Sequence, residues 1–217
     1  VANRLPRSFM PAREDNTPQT DRLLIVFSRN PVRGKVKTRL ARRTSPDFAL
    51  EVYERLRKIT LNAIQSTDAD LQIWYTDCIP VRDLLLEHPA EALLQQRGDL
   101  GDRMAGAFRR GYEQGYRKII LIGTDCPGIT PDIIRKGFAL LDTHDSVIGP
   151  AVDGGYYLIG LRFFFADIFD GIPWSTPDVC PMTRRKLRAA GRTVADLETL
   201  SDIDTLDDLR NSSLIIP

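Results

Sequence analysis

The sequence predicts a three-layer α/β/α fold built on a doubly wound, mostly parallel sheet, and three observations lead to it. Two continuous apolar runs, residues 23–27 (L-L-I-V-F) and 119–122 (I-I-L-I), have the length of strands and no polar alternation, the pattern of a strand covered on both faces. Several segments of helical period open with a Ser or Thr directly before proline, an N-cap joined to a preset first turn. Strand and helix then alternate along the chain, which calls for helices on both faces of parallel strands.

Taken in order, residues 23–27 form the first strand, and an irregular basic loop over 28–37 follows, with a helix expected to open near Lys35. Ser45 and Pro46 then begin a long amphipathic helix that places Phe48, Val52, Leu56, Ile59 and Ala63 on one face. Residues 71–76 return to strand composition, 81–87 read as a short helix, and Leu93-Leu94 open a further strand before Gly98. A helix is expected from Asp102 to about Gln114, the second buried strand over 118–123, and a helix from Thr130-Pro131 through Leu141. Two apolar runs, 146–151 and 156–161, are separated by Asp153-Gly154-Gly155, a turn or hairpin. Thr176-Pro177 opens another helix, which Gly191 stops as a left-handed C-cap. Thr205 and Asp208 form a capping box with Asp in place of the usual Glu. Residues 1–21 mix Arg, Pro, Asn and Thr without an apolar signal-type region and are expected to be a mobile arm, leaving 22–217 as a single domain.

The composition narrows the function classes. Lys plus Arg number 30 against 29 for Asp plus Glu, so no global positive field draws the chain to nucleic acid. Any anion site must be local. Cys78, Cys126 and Cys180 stand far apart and His88 and His144 are the two histidines, which argues against a zinc cage or a disulfide framework. Unpaired cysteines suit a reducing cytosol, and no apolar run approaches the roughly 20 residues that cross a bilayer.

Ligands of an open parallel sheet collect outside the carboxyl ends of its strands, so the loops after the two clearest strands carry the most weight. The first, residues 29–40, packs five cations, Arg29, Arg33, Lys35, Lys37 and Arg39, around Gly34. Glycine lets the backbone approach a ligand, a helix start adds amide donors, and Lys37 with Arg39 can hold adjacent phosphoryl groups. The plain structural reading is a solvated basic turn. The second loop, Gly123-Thr124-Asp125-Cys126-Pro127-Gly128, sets a carboxylate at a strand end facing such a phosphate site, as Mg²⁺ or Mn²⁺ requires. Asp125 is the best metal ligand on offer, although it can equally accept backbone hydrogen bonds in its turn. Asp153 beside Gly154-Gly155 is a third candidate with a plain hairpin as its alternative, and Arg103, after Gly98-Asp99-Leu100-Gly101-Asp102, is a further cation for the same cleft.

In this order the motifs F-S-R-N-P-V-R-G-K-V-K-T-R-L, G-D-L-G-D-R-M, I-G-T-D-C-P, G-P-A-V-D-G-G-Y-Y-L-I-G-L and P-W-S-T resemble the DUF2064 family, across about residues 23–209. That family is assigned to the glycosyltransferase-A type within the nucleotide-diphospho-sugar transferases, a superfamily that also holds nucleotidyltransferases. The resemblance implies a nucleotide-phosphate role for Lys37 and Arg39 and a metal role for Asp125; for glycosyl transfer, Asp153 is the candidate base on the acceptor. The usual glycosyltransferase D-x-D is incomplete here, since Gly123 stands at its first aspartate, so a second ligand is expected from Asp153 or water. Arg33 stands where the family commonly has proline. The implied activity is glycosyl transfer from a nucleotide sugar to a small-molecule acceptor. The alternatives are nucleotidyl transfer from a nucleoside triphosphate and a non-catalytic nucleotide-binding module.

Overall fold

In the computed structural model, residues 20–214 are described. The expected arm over residues 1–21 therefore lies outside the described residues up to residue 19, while the Asp21 carbonyl accepts the amides of Arg117 and Lys118 at 2.9 and 3.0 Å.

The chain runs β1 (Arg22–Ser28), α1 (Thr38–Ala41), α2 (Pro46–Ile64), β2 (Asp70–Tyr75), β3 (Glu91–Leu94), α3 (Leu100–Glu113), β4 (Lys118–Ile122) and α4 (Pro131–Leu140). It continues through β5 (Ser146–Pro150), β6 (Tyr156–Leu161), α5 (Val179–Ala189), β7 (Val194–Asp196) and α6 (Leu206–Asn211), with 3-10 turns at Leu84–Glu87 and Ala166–Ile168. The strands form one seven-stranded sheet in the order β3-β2-β1-β4-β6-β5-β7. Only β6 runs against its neighbours, pairing antiparallel with both β4 and β5.

Alternation along the central strands builds the three layers. On β1, Leu24 and Val26 enter a core with Leu61 and Ile64 of α2 and Ile134 and Phe138 of α4. Leu23, Ile25 and Phe27 of the same strand turn to the opposite core, with Met104 and Phe108 of α3 and Leu187 of α5. Successive strand side chains must point to opposite faces, so an unbroken apolar run is what a doubly covered strand requires. A third cluster joins Leu40, Val52 and Leu56 to Ile203 and Leu209, closing the carboxyl-terminal segment over α2. At Gly111 the helix comes close to the sheet: an added Cβ would lie 2.6 Å from Ile119 Cδ1.

Cap chemistry sets the boundaries, and it moved several of them. Helix α3 starts at Leu100 rather than Asp102, because Asp99 is the cap and Asp102 its reciprocal partner in a capping box. Thr176-Pro177 does not open α5: the Thr176 hydroxyl bonds the Pro173 carbonyl at 2.7 Å in a turn, and the helix begins at Val179. The helix expected near Lys35 is the four-residue α1, starting at Thr38, with residues 33–35 in a turn. Leu93 and Leu94 end β3 instead of opening a strand, and β7 was not foreseen. Gly191 takes φ +70 after α5, as the left-handed cap expected of it.

Candidate active site

Strand β1 is followed in sequence by β2 on one side of it, whereas β4 pairs on its other side. This is the topological switch point, where the loops after adjacent strands diverge and leave a crevice. A cleft of about 270 Å³ lies there, lined by Ser28 and Arg29 after β1, Gly123 to Cys126 after β4, and Asp202. A recess of about 450 Å³ continues it, since Arg29, Thr76, Gln95 and Arg103 border both spaces, and Lys35 and Arg97 add charge to the recess.

Two side chains and one backbone contact fasten these loops. The hydroxyl of Tyr53 on α2 accepts the Arg29 amide at 2.9 Å and lies 3.1 Å from the Thr124 hydroxyl, so one helix residue ties the ends of β1 and β4. Burial raises the Tyr53 pKa, which keeps that phenol a neutral donor. Asn30 joins the loops after β1 and β2, its Oδ1 accepting the Asp77 amide at 2.9 Å and its Nδ2 donating to the Cys78 carbonyl at 2.8 Å. Asp125 is held by its own backbone, whose carbonyl accepts the Ile203 amide at 3.0 Å.

The Lys37 ammonium lies 2.7 Å from Asp125 Oδ1 and 3.0 Å from Asp204 Oδ1. Its side chain is 3% exposed, while those of Asp125 and Asp204 are 46% and 44% exposed, so the cation is sealed and its partners face outward. Burial opposes the charge, yet the two carboxylates outweigh it and raise the Lys37 pKa. Lys37 also takes φ 45, ψ 46, a left-handed conformation that costs a non-glycine residue roughly 1–2 kcal/mol.

The segment carrying Asp204 brings a residue that the sequence reading missed. Residues 197–204 run beside β5, with the Leu200 amide on the Pro150 carbonyl and the Val152 amide on the Leu200 carbonyl. Ile203 is fully buried; on one side of it Asp202 lines the cleft, and on the other Asp204 meets Lys37. Oδ1 of Asp202 is buried with no hydrogen-bond partner among the described residues. Burial, reinforced by the charge of Asp125, pushes the Asp202 pKa up to about 7, and burial with the neighbouring Asp202 pushes the Cys126 thiol up to about 12. The signal was present as Asp202-Ile203-Asp204, two carboxylates flanking an apolar residue just before a capping box.

The structure thus brings Arg29, Arg103, Lys37 and Asp125 to one place and leaves three expected residues at its margin. Arg39 is exposed, its Nη1 3.7 Å from Asp204 Oδ2. Gly34, at φ +79, has open space where a Cβ would stand, with no atom within 4 Å, and marks a turn rather than a close approach. Asp153 is an exposed turn residue whose Oδ1 accepts the Gly155 amide at 2.9 Å; it does not line the cleft, although its charge acts on Asp202. The sidedness of the donors suits a divalent cation: Asp125 and Asp202 border one cavity and one of their oxygens lacks a partner. Among the described residues no group of three ligating side chains occurs, so water and phosphate would have to complete the shell. No helix among the described residues is long and apolar enough to cross a membrane.

Comparison with known proteins fits this geometry. The chain is similar to a crystal structure from Desulfovibrio desulfuricans provisionally named a nucleotide-diphospho-sugar transferase, at 36% identity and a TM-score of 0.80, covering 88% of this chain and 85% of that one. A Mycobacterium tuberculosis protein solved in complex with manganese shares the fold at 14% identity and a TM-score of 0.55, covering 88% of this chain and 97% of that one. CMP:2-keto-3-deoxy-manno-octonic acid synthetase complexed with CTP shares it at 12% identity and a TM-score of 0.51, over 88% and 96% of the two chains. No protein of curated function matches the sequence. The model of DUF2064, described as an uncharacterized protein conserved in bacteria, matches residues 60–176, and the chain belongs to that family, with the fold of nucleotide-utilising transferases.

Proposed function

We propose that the protein is a metal-dependent transferase of the glycosyltransferase-A type, which moves a glycosyl group from a nucleotide sugar to a small-molecule acceptor. The observation that carries this reading is the meeting of Lys37 and Asp125 at the switch point, 2.7 Å apart although 88 positions separate them in sequence. A cation and a half-exposed carboxylate, with Arg29 and Arg103 across the cleft, form the polar environment that a diphosphate leaving group needs.

In this reading Arg29, Lys35 and Arg103 bind the phosphates as they enter the recess, and Lys37 stabilises the charge that grows on the leaving oxygen. Asp125 and Asp202 would hold Mg²⁺ or Mn²⁺, which when bound supplies Lewis-acid stabilisation of the same phosphates. Arg39, at the rim, adds long-range attraction for the anion. Asp153 stands on the hairpin turn outside the cleft, so in this reading it takes the proton from an acceptor that approaches from that side. Gly34 lets the basic loop turn back over the cleft.

Nucleotidyl transfer is the second reading, and one observation favours it. The end of β4 offers Asp125 without a D-x-D partner on its own loop, and the CTP-complexed neighbour of like fold has the chemistry of a nucleoside triphosphate. Incubation with Mg²⁺ or Mn²⁺ and a panel of nucleotide sugars and triphosphates separates the two: released nucleoside diphosphate supports glycosyl transfer, released pyrophosphate the alternative. Asp125→Asn should abolish metal-dependent nucleotide binding in calorimetry while the circular dichroism spectrum stays unchanged. Unaltered affinity in that variant would sink both readings.

A further inference from the structure

A second cavity lies behind the β5–β6 hairpin. It measures about 1040 Å³, opens to solvent, and is bordered by Val152 and Gly154 of the hairpin and by Arg184, Arg185 and Arg188 of α5. It shares no residue with the nucleotide cleft.

The charge around it is unbalanced. Among the described residues no carboxylate borders the cavity, and Arg188 lies three and four residues from Arg185 and Arg184, spacings at which like charges repel by a few tenths of a kcal/mol per pair. Neighbouring cations are engaged by the protein itself: Lys186 donates to the Asp167 carbonyl at 2.9 Å, and the Arg192 guanidinium stacks 4.2 Å from the Phe163 ring centroid. Arg184 pairs through Nη2 with Asp196 at 2.9 Å, yet its Nε is buried without a hydrogen-bond partner. Arg185 and Arg188 make no ion pair among the described residues. The helix C-terminus favours a cation at Arg188, but it gives no reason for Arg184 and Arg185 to border the same space.

Guanidinium groups recognise phosphate through paired parallel N–H donors, and the rest of the wall is mostly apolar, with Val152, Pro181 and Ala189 beside the hydroxyl-bearing Thr199. We propose that this cavity is a second anion site, separate from the nucleotide cleft, that binds a phosphorylated small molecule. The amide of Cys180 on α5 donates to the Gly154 carbonyl at 2.9 Å, so the helix that bears the arginines is tied to the turn that carries Asp153.

Titration calorimetry of the full chain with glycerol 3-phosphate at low salt tests this, using the wild type, Lys37→Gln, and the double variant Arg185→Glu/Arg188→Glu. Binding should persist in Lys37→Gln and weaken roughly tenfold or more in the double variant, whose substitutions are at exposed positions. The double variant should keep the wild-type melting curve, and the milder Arg185→Ala/Arg188→Ala should show the same loss of binding in smaller degree. Absence of binding by the wild type overturns the proposal, as does equal affinity in the double variant. Loss of binding in Lys37→Gln alone would move the anion to the nucleotide cleft and overturn it too. Because no nucleotide is present, the result is independent of whether the cleft catalyses the proposed transfer.

Discussion

Two buried cations lie near helix α2, and the contrast between them separates architecture from site. Arg57 is 1% exposed and its Nη2 meets both oxygens of Asp83, itself 4% exposed, which also accepts the Tyr75 hydroxyl at 2.7 Å and the Leu85 amide at 3.0 Å. Lys37 is equally enclosed, but its two carboxylates are almost half exposed, and Asp125 lines the cleft. The first network fastens α2 to the turn after β2 through the sealed Asp83, and Arg57 Nη1 also meets Glu54, 43% exposed, at 2.9 Å. The second has unused acceptor capacity and a strained backbone at its centre, features that packing alone does not demand. Burial of a charge therefore says little about function; what sets Lys37 apart is that both carboxylates it meets are almost half exposed, whereas Arg57 is anchored by one that is sealed.

The strongest test of that contrast is removal of the sealed cation. Arg57→Ala leaves Asp83 buried and uncompensated, so urea denaturation should show a loss of about 3–5 kcal/mol. A loss below about 1 kcal/mol would mean that water reaches Asp83 and the two networks are alike. Lys37→Gln should cost less, about 1–2 kcal/mol, because Asp125 and Asp204 can hydrate toward the cleft once the ammonium is gone. Its larger consequence should be on nucleotide affinity, and a stability loss equal to that of Arg57→Ala would erase the distinction.

The smallest effect concerns acid. Asp208 accepts the amides of Asp204 and Thr205 at 3.1 and 2.7 Å and so steadies the segment that bears Asp204. Burial raises its pKa, but the hydrogen bonds from Thr205 prevail and hold it below the ordinary 3.8. A depressed carboxylate contributes stability above its unfolded value, and that contribution disappears as pH falls through the folded value. Thermal melts should therefore show Asp208→Asn less stable than the wild type by about 1 kcal/mol above pH 4, with the gap closing below it. A gap that widened in acid would contradict the capping role.

Much of this molecule was legible as sequence. Residues 23–27 and 119–122 became the central strands β1 and β4, because a run with no polar member can be tolerated only where both faces are covered. Ser45 and Thr130 became N-caps because their hydroxyls accept the amides of Phe48 and Ile133, a local matter. The loops after β1 and β4 could be singled out as the place for chemistry by the same reasoning. Boundaries failed where two local solutions competed, as at Thr176, whose hydroxyl served a turn instead of a helix.

Asp202 and Asp204 could not be located that way. Their neighbours in sequence say only that a short extended segment precedes a capped helix; Asp202 reaches the cleft and Asp204 reaches Lys37 because Leu200, Ile203 and Leu209 are fixed against distant strands and α2. The sequence by itself determined which segments must be strands, which residues start helices, and that the two loops of interest follow central strands, since period and capping act over a few residues. Tertiary structure alone decided that Lys37 would be enclosed by Asp125 and Asp204, that Asp202 would be desolvated, and that Asp153 would stay at the margin. Desolvation and charge pairing depend on which atoms replace water around a group, and that is settled only when segments far apart in the chain pack together.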